Sequence, residues 1–361
     1  MTSGSFDISN IEHLAANGFS LLVDSTVRGS LLLAVVALIA AYLSRRSASA
    51  RHLAWALGVA GLLVLPLLVR TLPTWGVLPA WSVSIGSTAE QSAIPGIASS
   101  DLSLFGQISA NWHVWIMGAW LAGAVYRFLC LAAAQWKLRA LTVRCDPASR
   151  GRLALETLRL LVRLGITRTV ELLQGPAGAT PMTWGVVRVK LLLPEDSHEW
   201  PEGRLRSVLM HEIAHIERWD CLTQFVANVA CAVFWFNPLV WLAVRKMRHE
   251  REAACDDRVL LTGTSAPDYA EHLLEISRGM QPSTVALAAT GGADRPSHLA
   301  QRVEAILDDR RSRQPVTRGG LMASVVVLSL FVTLLAMVGV SDGPSSDFAV
   351  YRPATMQPPA S

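Results

Sequence analysis

Lysine is scarce in this chain. Lys137, Lys190 and Lys246 are the only three among 32 basic residues, so arginine carries nearly all the positive charge. Charged residues of both signs make up 17% of the chain against 51% hydrophobic, which excludes an ordinary water-soluble protein and calls for membrane spans. Cysteine is sparse too. Cys130, Cys145, Cys221, Cys231 and Cys255 are odd in number and include no Cys-x-x-Cys pair, which argues against a disulfide framework. The first two dozen residues hold no basic residue, so they lack the start of a cleaved signal peptide. No internal repeat is visible. The formal charge of +4 raises nucleic acid as a partner, but the placement of the arginines explains it otherwise.

Two apolar runs, residues 29–43 (extended by Val27 and Ser44) and 52–69, flank a short link holding Arg45, Arg46 and Arg51. A basic link marks the cytoplasmic side, which puts the N-terminus outside. Residues 71–111 contain no Lys or Arg and are rich in Pro, Gly and Ser, the composition of an external loop, read as a tether rather than a sensor. A third span runs over 112–126, and its helix continues along the inner interface past Trp136, Lys137 and Arg139. Most of the basic residues lie between Arg127 and Arg318, so that segment is expected in the cytoplasm, next to an anionic leaflet; direct nucleic-acid binding is not expected. A last span covers 319–340, with the tail 341–361 outside and disordered. The expected units are 1–70, 71–111, 112–135, a cytoplasmic domain 136–318, 319–340 and 341–361.

Within the cytoplasmic part, the leucines of 151–164 predict a helix. Strands are expected at 169–174 and 185–193, separated by a Gly- and Pro-rich turn at 175–181. Helices follow after Pro201, around 266–278 and around 298–306, with a loop at 291–297. Residues 222–244 are apolar and long enough to span, but Asn237-Pro238 interrupts them. A span there would carry the following acidic segment to the wrong side, so the stretch reads as a helical hairpin, buried in the domain or dipped into the bilayer.

The chemistry centres on HEIAHIERWD, residues 211–220. His211 and His215 stand at i and i+4 on one helical face and can share one Zn²⁺, with Glu212 placed to reach a water in the open coordination position. The apolar neighbours Val208, Leu209, Met210, Ile213, Ala214 and Ile216 bury this helix, and a buried helix keeps two His and a Glu only when they are paired or coordinating. The extended form HExxHxxGxxH fails, because Arg218 and Cys221 occupy the Gly and His positions. A downstream Glu is the other common third ligand. Glu252 is preferred, because Asp256 follows one turn later and can orient His211 or His215 from behind; Glu250 remains the rival. Cys255 is either a soft competitor for zinc or a small buried thiol.

HEIAHIERWDCL, FWFNPLVWLAVRKMRHEREAACDD, RHLAWAL between the early spans and TWGVVRVKLLLPED together resemble the BlaR/MecR family of membrane zinc peptidases, over residues 27–340. The resemblance implies His211, His215 and Glu252 as zinc ligands and Glu212 as catalytic acid/base. It also implies a cytoplasmic protease that triggers loss of a DNA-bound repressor. The fold class expected is a mainly α membrane protein with four transmembrane helices and a cytoplasmic α+β, gluzincin-like domain. The family's well-studied sensors carry a penicillin-binding domain beyond the last span, with a Ser-x-x-Lys nucleophile. Here none of the three lysines has Ser three positions before it, so covalent capture of a β-lactam is not expected. The expected partners are a protein substrate (the chain itself or a cytoplasmic repressor), the membrane, and a second copy in a homodimer. A housekeeping peptidase and a non-catalytic zinc scaffold are the alternatives. A substrate would lie along an edge strand near 182–189; Tyr269 and His272 are the nearest oxyanion donors by position.

Overall fold

The computed structural model of the protein describes residues 8–73, 75–78, 112–148, 150–279 and 296–340. The expected external loop beyond residue 78, the loop at 291–295 and the tail lie outside the described residues. Among these residues, four helices are long and apolar enough to cross a membrane. They are α1 (Ile8–Tyr42), α2 (Ala48–Thr71), α3 (Trp112–Arg144) and α10 (Arg318–Met337). The first helix begins well before the apolar run that announced it. At about 1.5 Å per residue, its 35 residues exceed a hydrocarbon core of about 30 Å. Its early turns are held by Phe19, which packs edge-on against Trp112 at the start of α3. The last helix stops at Met337 rather than 340, because Val338–Val340 (β6) pairs in parallel with Trp75–Leu78 (β1) and ties the C-terminal ends of α2 and α10 together.

The remaining chain forms a small mixed layer. Asp146–Pro147 (β2), Val170–Gly175 (β3), Met182–Trp184 (β4) and Val189–Pro194 (β5) make a sheet in the order β2-β3-β5-β4, with β3 and β5 parallel. The helices are α4 (Arg152–Arg163), α5 (Glu202–Glu217), α6 (Asp220–Val233), α7 (Pro238–Leu261), α8 (Ala266–Gly279) and α9 (Pro296–Leu307). The strand expected at 185–193 begins only at Val189: residues 185–188 form a turn, and a separate short strand, β4, precedes it at 182–184. Gly185 has φ +96, and a Cβ there would stand 2.2 Å from the Arg188 carbonyl oxygen. A tight turn therefore separates β4 from β5 and leaves β4 on the sheet edge. Arg168 fastens that turn by donating to the carbonyls of Val186 and Ile216. Strand β5 is buried on both faces. Val189, Leu191 and Leu193 pack in the core with Leu205, Leu209 and Ile213 of α5, while Leu192 meets Leu173 and Cys145.

The stretch 222–244 is a helical hairpin. Helix α6 ends at Val233, and Asn237 caps α7 by accepting from the Leu239 amide at 2.9 Å, with Pro238 at the first helical position. Its apolar residues Ala227, Ala230, Phe234, Val240 and Val244, with Met247 further along α7, share one core with Leu32 and Val36 of α1, Trp55, Val59 and Leu62 of α2, and Val332 of α10. The hairpin thus packs among the spans. Helix α7 runs unbroken from that membrane cluster at Val240 to the sheet-side core at Val259.

Candidate metal centre

Helix α5 carries His211, Glu212 and His215 out of an apolar core, and α7 brings Glu252 opposite them. Glu252 Oε2 lies 3.5 Å from His211 Nε2 and 4.0 Å from His215 Nε2. Ligand atoms around a tetrahedral zinc stand about 3.4 Å apart when each bond is about 2.1 Å. Two imidazole nitrogens and a carboxylate oxygen at such separations fit that ion. The three side chains are 12%, 14% and 24% exposed, so the group is mostly buried but still meets solvent.

Each of the three groups is oriented by a partner. Asp256, one turn after Glu252, has Oδ1 3.2 Å from His211 Nδ1. Asp220 Oδ2 lies 2.8 Å from His215 Nδ1. Carboxylates on both Nδ1 atoms turn both Nε2 atoms toward Glu252, the arrangement that fixes tautomer and ring direction in metal-binding histidines. Arg251 holds Glu252 Oε1 through Nε at 3.0 Å and Nη2 at 2.8 Å, which leaves Oε2 for the centre. Arg302 of α9 grips Asp256 with two bonds of 2.9 and 2.8 Å.

This packing sets the charges. Burial pulls the His211 imidazole down, but the Asp256 and Glu252 carboxylates outweigh it and push it up to about 9. Burial pushes Glu252 up, and Arg251, with both histidines and Arg302, holds it well below the usual carboxylate range. Asp256 and Asp220 are likewise lowered against the effect of burial, chiefly by Arg302 and His211 in the first case and by His215 and Arg218 in the second.

Glu212 is buried, and its Oε2 accepts from Thr183 Oγ1 of the edge strand β4 at 2.9 Å. The structure thus brings together His211, His215, Glu252, Glu212 and Asp256, and assigns Asp256 to His211. Glu250 is turned away, with Oε2 2.8 Å from Arg51 Nη2 at the start of α2. Cys255 is fully buried behind His215, its Sγ 3.2 Å from Nδ1, and burial pushes its thiol well above its ordinary value. It stands on the opposite side of the ring from Glu252, as a small packed thiol. Tyr269 is also behind the site: its hydroxyl donates to Asp256 Oδ1 at 2.7 Å. His272 faces Ser207 at 3.4 Å and a surface hollow lined by Gly203, Arg206 and Asp268. Tyr269 thus stands on the Nδ1 side of His211, at 3.1 Å, and the contact of His272 is with Ser207.

Asp220, Arg251, Arg302 and Thr183 were not anticipated. For Asp220 a signal existed, an acidic residue opening the helix after the motif. It reaches back to His215 because Trp219 takes a left-handed conformation (φ 59), an unusual choice for a bulky residue that breaks α5 from α6. Arg302 comes from 46 residues beyond Asp256, a distance that no periodicity bridges.

A family model described as BlaR1 peptidase M56 matches residues 20–306. Regulatory protein BlaR1 of Bacillus licheniformis is 30% identical over 141 residues, 38% of this chain and 24% of that protein. A methicillin resistance mecR1 protein of Staphylococcus aureus is 28% identical over 100 residues, 27% of this chain and 17% of that protein. Regulatory protein BlaR1 of Staphylococcus aureus is 27% identical over 99 residues. The matched stretches span a quarter or less of these curated relatives.

Proposed function

The chain belongs to the BlaR1 peptidase M56 family, and from that premise we propose that it is a membrane zinc endopeptidase that acts in signal transduction. The observation that carries this is the convergence of His211 Nε2, His215 Nε2 and Glu252 Oε2 beside the buried Glu212, which lies on the helix of the two histidines and is held at one carboxylate oxygen by Thr183. When bound there, zinc supplies Lewis acidity toward a water and a scissile carbonyl. Glu212, steadied by Thr183, takes the proton from the attacking water and passes it to the leaving amine. The free edge of β4 beside Glu212 orients an extended substrate through backbone hydrogen bonds. Asp256 and Asp220, each against an Nδ1, leave the Nε2 atoms of both imidazoles facing Glu252.

The substrate is a protein, either this chain or a cytoplasmic repressor of the kind suggested by the relatives' names as regulatory and resistance proteins. Arg139 and Arg144 end α3 and Arg318 opens α10, the helix ends that adjoin the peptidase unit in the chain, and Arg45 and Arg46 precede Ala48 of α2, which packs on α7; this charge bias supports a cytoplasmic site and outward termini. The peptidase unit is taken as 136–318, with 222–244 inserted among the spans, and the assembly as a homodimer.

The test is zinc content and peptide-bond cleavage of the detergent-purified chain beside Glu212→Gln, followed by mass spectrometry of self-cleavage and of a co-expressed repressor. Wild type is expected to hold about one zinc and to cut; the variant is expected to keep the metal and lose about 10²–10⁴-fold in rate. Zinc in both with cleavage in neither would instead support a non-catalytic scaffold. Cleavage of many unrelated membrane proteins would support a housekeeping peptidase.

A further inference from the structure

The inner end of α2 reaches the metal centre from the side. Arg218, the residue closing α5, donates from Nη1 to Ser49 Oγ at 3.0 Å and from Nη2 to His52 Nδ1 at 2.9 Å. Its Nε lies 3.4 Å from Asp220 Oδ2, the same oxygen that holds His215 Nδ1 at 2.8 Å. His52 Nε2 is itself 4.0 Å from Asp220 Oδ1. His52 and Asp220 are only 5% and 2% exposed, so water does not screen these contacts. One turn earlier, Ala48 is fully buried against Ala253 and Ala254, the residues directly after Glu252 on α7. Arg51 pairs with Glu250 in the same region. Nothing in the HExxH motif requires a membrane helix to do this.

Taking the zinc-peptidase assignment as its premise, we propose that Ser49 and His52 of the second membrane helix are positioning residues for the metal centre. Through Arg218 they hold Asp220 against His215, so the zinc affinity of the site depends on where α2 sits. A buried carboxylate stays in place only while its cationic partner does. Arg218 has long rotatable bonds, and Ser49 and His52 are what fix its head group. A displacement of α2 in the membrane therefore reaches the ligand His215 through one arginine and one aspartate. This makes α2 the element through which the membrane region regulates the site.

The experiment measures zinc affinity by chelator competition, and the absorption spectrum of the cobalt-substituted site, on the full chain in nanodiscs. The variants are His52→Leu, Asp220→Asn and their double mutant. Asp220→Asn is expected to weaken zinc about 10–100-fold. His52→Leu is expected to weaken it several-fold and to shift the cobalt bands. The double mutant should be no weaker than Asp220→Asn alone, because both act on one chain of contacts. His52→Asn, which offers Arg218 an acceptor oxygen, should restore most of the affinity. Ala48→Leu, which leaves every polar member intact but wedges α2 from α7, should also weaken zinc, whereas Val64→Ala on the exposed side of α2 should not. If wild type binds zinc and His52→Leu matches it in affinity and spectrum, the proposal is overturned while the peptidase assignment stands. Additive losses in the double mutant would likewise overturn it. If wild type binds no zinc, both fall together.

Discussion

A carboxylate on Nδ1 decides which nitrogen of an imidazole is free, and here Asp256 and Asp220 do this separately for His211 and His215. Asp256→Asn keeps the shape but removes the charge; zinc affinity in chelator competition should fall about 10–100-fold. Thr183 touches Glu212 rather than the ligands. Thr183→Val should therefore leave zinc content unchanged and lower kcat about tenfold, the size expected when one hydrogen bond to a buried charged group is lost. Asp257 behaves differently from its neighbour Asp256. It lies 3.8 Å from Arg313, but burial outweighs the nearby arginines and pushes its carboxyl from 3.8 up to about 6. A carboxyl raised by folding contributes stability below its unfolded value and loses it as pH climbs through the folded value. Asp257→Asn should therefore raise Tm at pH 7.5, with a smaller gain at pH 5, read by thermal unfolding of the purified protein.

The elements that build the site owe their ends to single residues. Gly185 makes the turn that puts β4 on the edge beside Glu212. Gly185→Ala meets both a left-handed φ and the Arg188 carbonyl, and should cost about 1–3 kcal/mol. Cleavage should suffer more than zinc binding, because β4 carries Thr183 and no metal ligand. The hairpin turns at Asn237, whose side chain caps α7 and also donates to Ser30 of α1 at 3.1 Å. The cap and the bond to α1 explain why the apolar stretch folds back instead of crossing. Most elements were legible from periodicity and punctuation: α4, α5, the hairpin and the four spans follow leucine spacing, Pro201, Pro238 and apolar length. The turn at 185–188 and the short strand before it were not, because a β-prone run conceals a turn that depends on one glycine's φ. The early start of α1 was not either, since those turns are stabilised by contact with α3 rather than by their own composition.

At the scale of the whole molecule, two cores meet along α7. One is a membrane cluster of α1, α2, the hairpin and α10; the other is a peptidase cluster around α5 and β5. A helix that enters both places the metal centre at the inner membrane face under the proposed topology. Single cysteines tested with a membrane-impermeant reagent check that topology. Ser92→Cys should label from outside the cell, and Glu199→Cys, on an exposed residue of the peptidase unit, only after the membrane is opened.

The sequence by itself determined the spans and the two histidines with their glutamate, because apolar length and the i, i+4 spacing of a helix are local properties. It also determined Glu252 and Asp256 as a pair on one face, again by spacing within one helix. Only the tertiary structure decided which carboxylate serves which imidazole, that Glu250 belongs to Arg51, and that Arg302 and the N-terminal end of α2 close around the site. Apart from Asp220 and His215, five positions apart, those contacts join residues tens to more than a hundred positions apart. Their partners are chosen by the packing of helices against one another, and neither propensity nor pattern along the chain carries that information.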